Sequence, residues 1–180
     1  MSRLPILKDF HTNTSIEILS NNSISQIYIN GKDYGVTNQT IRNLPAGQYN
    51  IQLVRVSNQE NTFYKPFEFT LKLEKNSEAF VNIEIGPNNL ISGYYLYYIP
   101  QSSLAEKKGS ISIFSNVTDP YIMLNDEYIK MADGITVLDE GNYSIEIKKD
   151  GYEPVKIPAT KVSSKNNLNL YVFLFPKPTL

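Results

Sequence analysis

Few residues of this 180-residue chain could do chemistry, and their spacing limits what that chemistry could be. The sequence holds one His and no Cys. That removes thiolate nucleophiles, Cys-based zinc sites and disulfides, and leaves a single imidazole for acid–base work. This imidazole, His11, stands in the polar stretch Asp9-Phe10-His11-Thr12-Asn13. A working His needs an orienting carboxylate and a substrate-facing partner. Asp9 is near, nothing else converges, and His11 reads as an exposed tail residue. Among the carboxylates, Asp139 and Glu140 are adjacent, so on a strand they point to opposite faces. A glycosidase pair needs two carboxylates roughly 5–10 Å apart across a cleft, and no such pair can be nominated. Asp119, Asn125, Asp126, Glu127 and Asp133 offer the hard oxygens that calcium takes. They lack EF-hand spacing and read as solvated turn residues. No catalytic residue, metal ligand or cofactor is expected.

The unusual stretch is Ile91-Ser92-Gly93-Tyr94-Tyr95-Leu96-Tyr97-Tyr98-Ile99-Pro100. As a strand it puts Tyr95, Tyr97 and Ile99 on one face and Tyr94, Leu96 and Tyr98 on the other. Exposed, Tyr94, Tyr95, Tyr97 and Tyr98 would form a platform for sugar rings or a partner protein. Covered on both sides, the strand would finish one module or join two. The second reading is preferred, because a run apolar on both faces usually marks a strand buried on both sides.

The elements that must position these residues are β. Strand-like runs recur 95 positions apart, Ile16-Glu17-Ile18-Leu19-Ser20 with Ile111-Ser112-Ile113-Phe114-Ser115, and Ile27-Tyr28-Ile29-Asn30-Gly31 with Ile122-Met123-Leu124-Asn125-Asp126. A further pair, beginning Leu44 and Leu138, is 94 apart, so the intervening loop has lost one residue. Matched runs in one order indicate a duplication. Within each copy, Ile16, Ile18 and Ser20, then Tyr49, Ile51 and Leu53, then Tyr143, Ile145 and Ile147 alternate with their neighbours and are expected to face a core. Asn30-Gly31 signals a type I′ hairpin, and Asn125-Asp126 does so less strongly. Further strands are expected at 67–73, 79–85, 155–157 and 168–175, and no window has capped helical periodicity. About seven short strands per half indicate an all-β chain of two tandem small Ig-like sandwich modules. The reading is a tail at 1–13, a first module at 14–100, a polar linker at 101–108, a second module at 109–176 and a tail at 177–180.

The motifs between these strands resemble the PEGA domain. The first copy carries Asn30-Gly31-Lys32, Gly35-Val36-Thr37 and Leu44-Pro45-Ala46-Gly47-Gln48-Tyr49. The second carries Leu138-Asp139-Glu140-Gly141-Asn142-Tyr143 and Lys149-Asp150-Gly151-Tyr152-Glu153. They are similar to the family's hairpin Gly-Lys, its Gly-x-Thr-Pro turn, its Leu-x-x-Gly-x-Tyr turn and its Lys-x-Gly-Tyr strand end. The first copy departs with Asn38 in place of Pro and lacks Gly-Tyr, and the second lacks the Gly-x-Thr-Pro turn. Gly47 and Gly141, two residues before each Tyr, sit where a positive φ would cost glycine little. Tyr49 and Tyr143 can bury a ring and keep the hydroxyl at the rim or on a backbone partner, as in a tyrosine corner.

The resemblance implies a non-catalytic structural or binding module of a prokaryotic cell envelope or surface, working through protein–protein or surface-polymer contacts. The alternative is a carbohydrate-binding module using the tyrosines of 94–98. The formal net charge of −1 and pI near 5.9 give no electrostatic case for nucleic acid. The start has no apolar run of signal-peptide length, which leaves a cytoplasmic location as the alternative to the envelope. The longest apolar run, Leu170-Tyr171-Val172-Phe173-Leu174-Phe175, is short of the roughly 20 residues of a membrane span. Sequons such as Asn38-Gln39-Thr40 carry little weight in a chain this rich in Asn, Ser and Thr. Open sandwich edges also invite strand pairing with another chain.

Overall fold

The computed structural model describes residues 14–58, 63–129 and 134–178. His11, Asp133 and the expected tail at 1–13 lie outside the described residues. Every regular element among them is a strand, as the turn-punctuated period-two pattern requires.

The first half forms β1 (Ser15–Leu19), β2 (Ser25–Ile29), β3 (Lys32–Val36), β4 (Gln39–Arg42), β5 (Gly47–Arg55), β6 (Phe67–Leu73) and β7 (Glu78–Ile85). Then β8 (Ile91–Pro100) runs into the second half. That half holds β9 (Lys108–Ser115), β10 (Tyr121–Leu124), β11 (Glu127–Ile129), β12 (Ile135–Asp139), β13 (Gly141–Lys148), β14 (Val155–Val162) and β15 (Asn166–Phe173). The pairings of the two halves correspond strand for strand. β1 pairs antiparallel with β4 and parallel with β7, and β9 does the same with β12 and β15. A small sheet β3-β2-β5-β6 matches a small sheet β11-β10-β13-β14.

The larger sheet runs β12-β9-β15-β8-β7-β1-β4. Its order is palindromic about β8, which lies antiparallel to both β7 and β15. The flanks are therefore related by a half-turn about the β8 axis, and such a rotation exchanges the two faces of the sheet. Each small sheet must then cover the opposite face. The cores bear this out. Ala79, Val81, Ile83 and Ile85 of β7 join Ile16, Ile18, Ile51, Leu53 and Tyr95 in one core. Leu168, Leu170 and Val172 of β15 join Ile111, Ile145, Ile147 and Leu96 in the other. Each fully buried aliphatic side chain contributes about 1.5–3 kcal/mol to its core.

The sequence expectations at 67–73 and 79–85 correspond to β6 and β7, and those at 155–157 and 168–175 to parts of β14 and β15. The segment expected as a linker is a set of turns tied to the second half. Gln101 N–H donates to Lys165 O at 2.7 Å, Ser110 Oγ donates to Gln101 Oε1 at 2.7 Å, and Lys108 is already the first residue of β9. The expected C-terminal tail begins with an anchored residue, for Lys177 N–H donates to Gly151 O at 2.8 Å.

Candidate functional site

The tyrosine segment 94–98 lies on β8, the central strand of the large sheet. Gly93 lets the strand enter that position. Its φ is +115°, and a Cβ there would lie 2.0 Å from Asn82 O, so no side chain fits between β7 and β15. Beyond Gly93 the four tyrosines divide by parity between two environments.

Tyr95 and Tyr97 turn toward the first core. Tyr95 is buried and stacks between Phe69, at 4.3 Å between ring centroids, and Tyr171, at 4.6 Å. Tyr171 stacks in turn on Phe114 at 4.5 Å. The Tyr95–Tyr171 and Tyr171–Phe114 separations approach the strand spacing, as expected of residues directly opposite on paired strands, whereas Phe69 reaches Tyr95 from β6 of the facing small sheet. The rings therefore spend their faces on one another. Both faces of Tyr95 are occupied, and Phe114, 46% exposed, ends the ladder. Burial raises the Tyr95 hydroxyl above its ordinary range, and burial with Tyr171 nearby pushes Tyr97 up to about 12.

Tyr94, Leu96 and Tyr98 turn to the other face, which is walled by the second half. There they line a groove of about 720 Å³ with Glu17, Leu19, Glu78 and Phe80 on one side and Ile157, Pro158, Thr160 and Lys161 on the other. Tyr98 bridges the two halves, its hydroxyl donating to Lys161 O at 2.9 Å. Burial, reinforced by the Glu78 charge, pushes the Tyr98 hydroxyl up to about 12. Tyr94 is also raised, first by burial, with a hydrogen bond to Asn82 opposing. The groove is amphipathic, lined by the apolar Leu19, Phe80 and Leu96 together with Glu17, Glu78 and Thr160. It can hold a ligand by ring and hydroxyl contacts.

Of the acids expected in turns, Asp119 and Asp126 are there, whereas Glu127 opens β11 and Asp139 closes β12 as ladder residues. Asp139 pairs with Lys108 at 2.8 Å, and its carbonyl accepts from the Tyr143 hydroxyl at 3.0 Å. Asp119 and Asp126 occupy left-handed turn positions, with φ of 47° and 64°. Among the described residues no three His, Asp or Glu gather as a metal site would need.

The turn motifs of the first half form a connected set. Asn30 and Gly31 take φ of 50° and 77°, the type I′ geometry, and Asn30 Oδ1 accepts from Asn50 N–H at 2.9 Å. Thr37 N–H donates to Ser25 O at 2.8 Å, while its Oγ1 accepts from Ser25 N–H at 3.0 Å. The Tyr49 hydroxyl donates to Pro45 O at 2.7 Å, closing the corner. A PEGA domain is found at residues 13–89. The match takes in β1 to β7 and ends before β8. No curated protein matches the chain.

The turns of the PEGA domain, and the matching turn of the second half, depart from the expected chemistry at two points. Asn38 has φ of 71°, which proline cannot adopt, and it donates its N–H to Ile18 O at 3.0 Å. Its Oδ1 also accepts from Ser20 N–H at 2.9 Å, so the replacement of Pro comes with its own anchor. Gly47 and Gly141 do not take the positive φ expected of them. They are the first residues of β5 and β13, already paired with Leu73 and Val162 in extended conformation. The left-handed step before β5 is made by Asn43, φ 59°. In the second half, Asn125 Oδ1 accepts from Ser144 N–H at 2.9 Å, and Tyr143 repeats the corner contact of the PEGA domain.

Sequence reasoning missed Tyr171, Phe114, Phe80, Glu17 and Glu78. They approach β8 only through strand pairing, and Tyr171 had been visible solely as part of an apolar run.

Proposed function

We propose that the chain is a non-catalytic structural and binding module of a cell envelope or surface, built of two PEGA domains fused into one stiff unit. The observation that carries this reading is β8. It pairs with β7 on one side and β15 on the other, and its two faces serve two different cores. A hinge between the halves would have to break a sheet ladder and open both cores. Such a unit holds whatever it contacts at a fixed distance, which is what a spacer or adhesive module requires. The second half counts as a PEGA domain on its matching strand pairings, the shared tyrosine corner and the shared Asn-led hairpin. Its acids support a non-catalytic role, since Asp139 is held by Lys108 and the Asp119 and Asp126 turns are separate. Antibody detection in fractionated source cells, with protease shaving of intact cells, tests the location. Signal in the envelope fraction that shaving removes is expected, and a purely cytosolic signal would overturn the surface assignment.

A second reading, carbohydrate binding, is favoured by the groove. Two tyrosines, four positions apart on one strand, stand about 13 Å from each other, the length of two to three sugar units. On a glycan array, binding that Tyr94→Ala abolishes while Tyr97→Ala spares it would support this reading. No binding would end it.

A further inference from the structure

We propose that β12 is a docking edge for a second copy of this chain, which adds its own β12 antiparallel in a register centred on Val137. β12 ends the seven-stranded sheet, and among the described residues no strand pairs on its outer side. Its hydrogen-bonding direction follows from one contact. Glu140 N–H donates to Lys107 O at 2.8 Å, so Glu140/Lys107 is a hydrogen-bonded pair of the β12–β9 ladder. Such pairs alternate in an antiparallel ladder, which places Ile135, Val137 and Asp139 at the non-bonded positions. These three residues point their N–H and C=O groups away from β9, to the outer side of the sheet, where no described strand pairs. Their side chains share one face, where Ile135 is 48% exposed and Val137 55%.

Other edges of the fold are guarded in the ways natural sheets use. β14 carries Pro158, a left-handed Ala159 and a register shift against β13. β3 has Gly35 at φ +90° and a register shift of its own. β4 is four residues long and β11 three. β6 alternates Glu68, Thr70 and Lys72 outward. β12 keeps an unbroken register over five residues and bears two exposed β-branched side chains.

The occupant follows from the edge's own sequence. In the Val137-centred register the three outward residues of each copy meet the three of the other, Val137 with Val137 and Ile135 with Asp139. Each backbone donor then finds an acceptor. Asp139 never faces its own copy and stays paired with Lys108, so no like charges meet across the join. A chain of formal net charge −1 also adds little long-range repulsion between copies. The contact is isologous and closed, giving a dimer and no filament.

The chain has no Cys, so a single engineered thiol reports the contact cleanly. Val137→Cys places the two thiols opposite one another on the two-fold axis, within disulfide reach. Val36→Cys, on the guarded edge β3 and 44% exposed, is the control. Under diamide, Val137→Cys is expected to give mostly disulfide-linked dimer and Val36→Cys mostly monomer. Sedimentation of the unmodified chain should show mass rising toward twice 20.5 kDa with concentration. Val137→Lys, with an unchanged circular dichroism spectrum and melting point, should abolish that rise. Equal crosslinking of both thiols, or a monomer mass at millimolar concentration, would overturn the proposal. Dimerisation that survives Val137→Lys would do the same.

Discussion

Tyr95 and Tyr171 lie directly opposite on β8 and β15, with ring centroids 4.6 Å apart and planes within 8°. Tyr95 belongs to the first core, and Tyr171 sits on the strand that supplies the second. This contact, continued to Phe69 and Phe114, staples the halves across the seam between them. Tyr95→Ala removes a nearly buried ring and should cost about 3 kcal/mol in urea unfolding. A double-mutant cycle with Tyr171→Ala should return a coupling of about 0.5–1.5 kcal/mol. Additive losses would mean that the stack carries no energy across the seam.

Because β8 serves both cores, damage in one half should be felt in the other. A fragment ending at Pro100 leaves Leu96, Tyr94 and Tyr98 without the wall that the second half supplies. It should bind the apolar dye ANS and melt without a sharp transition, whereas the full chain should unfold in one. Two separate transitions in full-chain calorimetry would contradict this.

Gly93→Ala is the substitution the sheet tolerates least. A methyl 2.0 Å from Asn82 O forces β7 and β8 apart at a backbone angle that alanine disfavours. A loss of about 3 kcal/mol or more is expected, with a matching fall in soluble expression.

The two tyrosine corners should rank by burial. Tyr49→Phe loses the bond to Pro45 O at a buried ring and should cost about 1 kcal/mol. Tyr143→Phe, whose bond to Asp139 O is more exposed, should cost less. Chemical denaturation of both variants gives the comparison directly.

Alkaline pH should unfold the protein through its tyrosines. In the unfolded chain these hydroxyls ionise near the ordinary value of 10.0, while Tyr97 and Tyr98 hold their protons to about 12 in the fold. Below pH 10 both states carry the same protons and the stability is unaffected. Between pH 10 and 12 the unfolded state binds fewer protons, so stability falls as pH rises. Tyrosinate absorbance at 295 nm, followed beside the melting temperature, should show the two changing together.

Much of the fold was written in residue order. Period-two alternation placed Ile51 and Leu53 inward because a strand has only two faces, and Asn30-Gly31 fixed its hairpin because few other pairs accept two positive φ values. Tyr49 and Tyr143 were legible as corner candidates from the turn motif before each strand, and the structure supplied their partners, Pro45 O and Asp139 O. Gly47 and Gly141 misled the same reasoning. A glycine near a turn need not be the residue that makes it, and Asn43 takes that step before β5.

The tyrosine strand shows where sequence stops. Its composition favoured a strand covered on both faces, since residues 94–98 are apolar in either parity, and the structure buries Tyr95 and Leu96 while leaving Tyr94 and Tyr98 part-exposed along a groove. Which cores would cover them was settled by the pairing of β8 with β15, a contact between residues some 70 positions apart such as Leu96 and Leu170. No local propensity encodes that register. It follows from the half-turn about β8, which sends Tyr95 to one core and Leu96 to the other, and which brings Lys161 across to Tyr98 to close the groove.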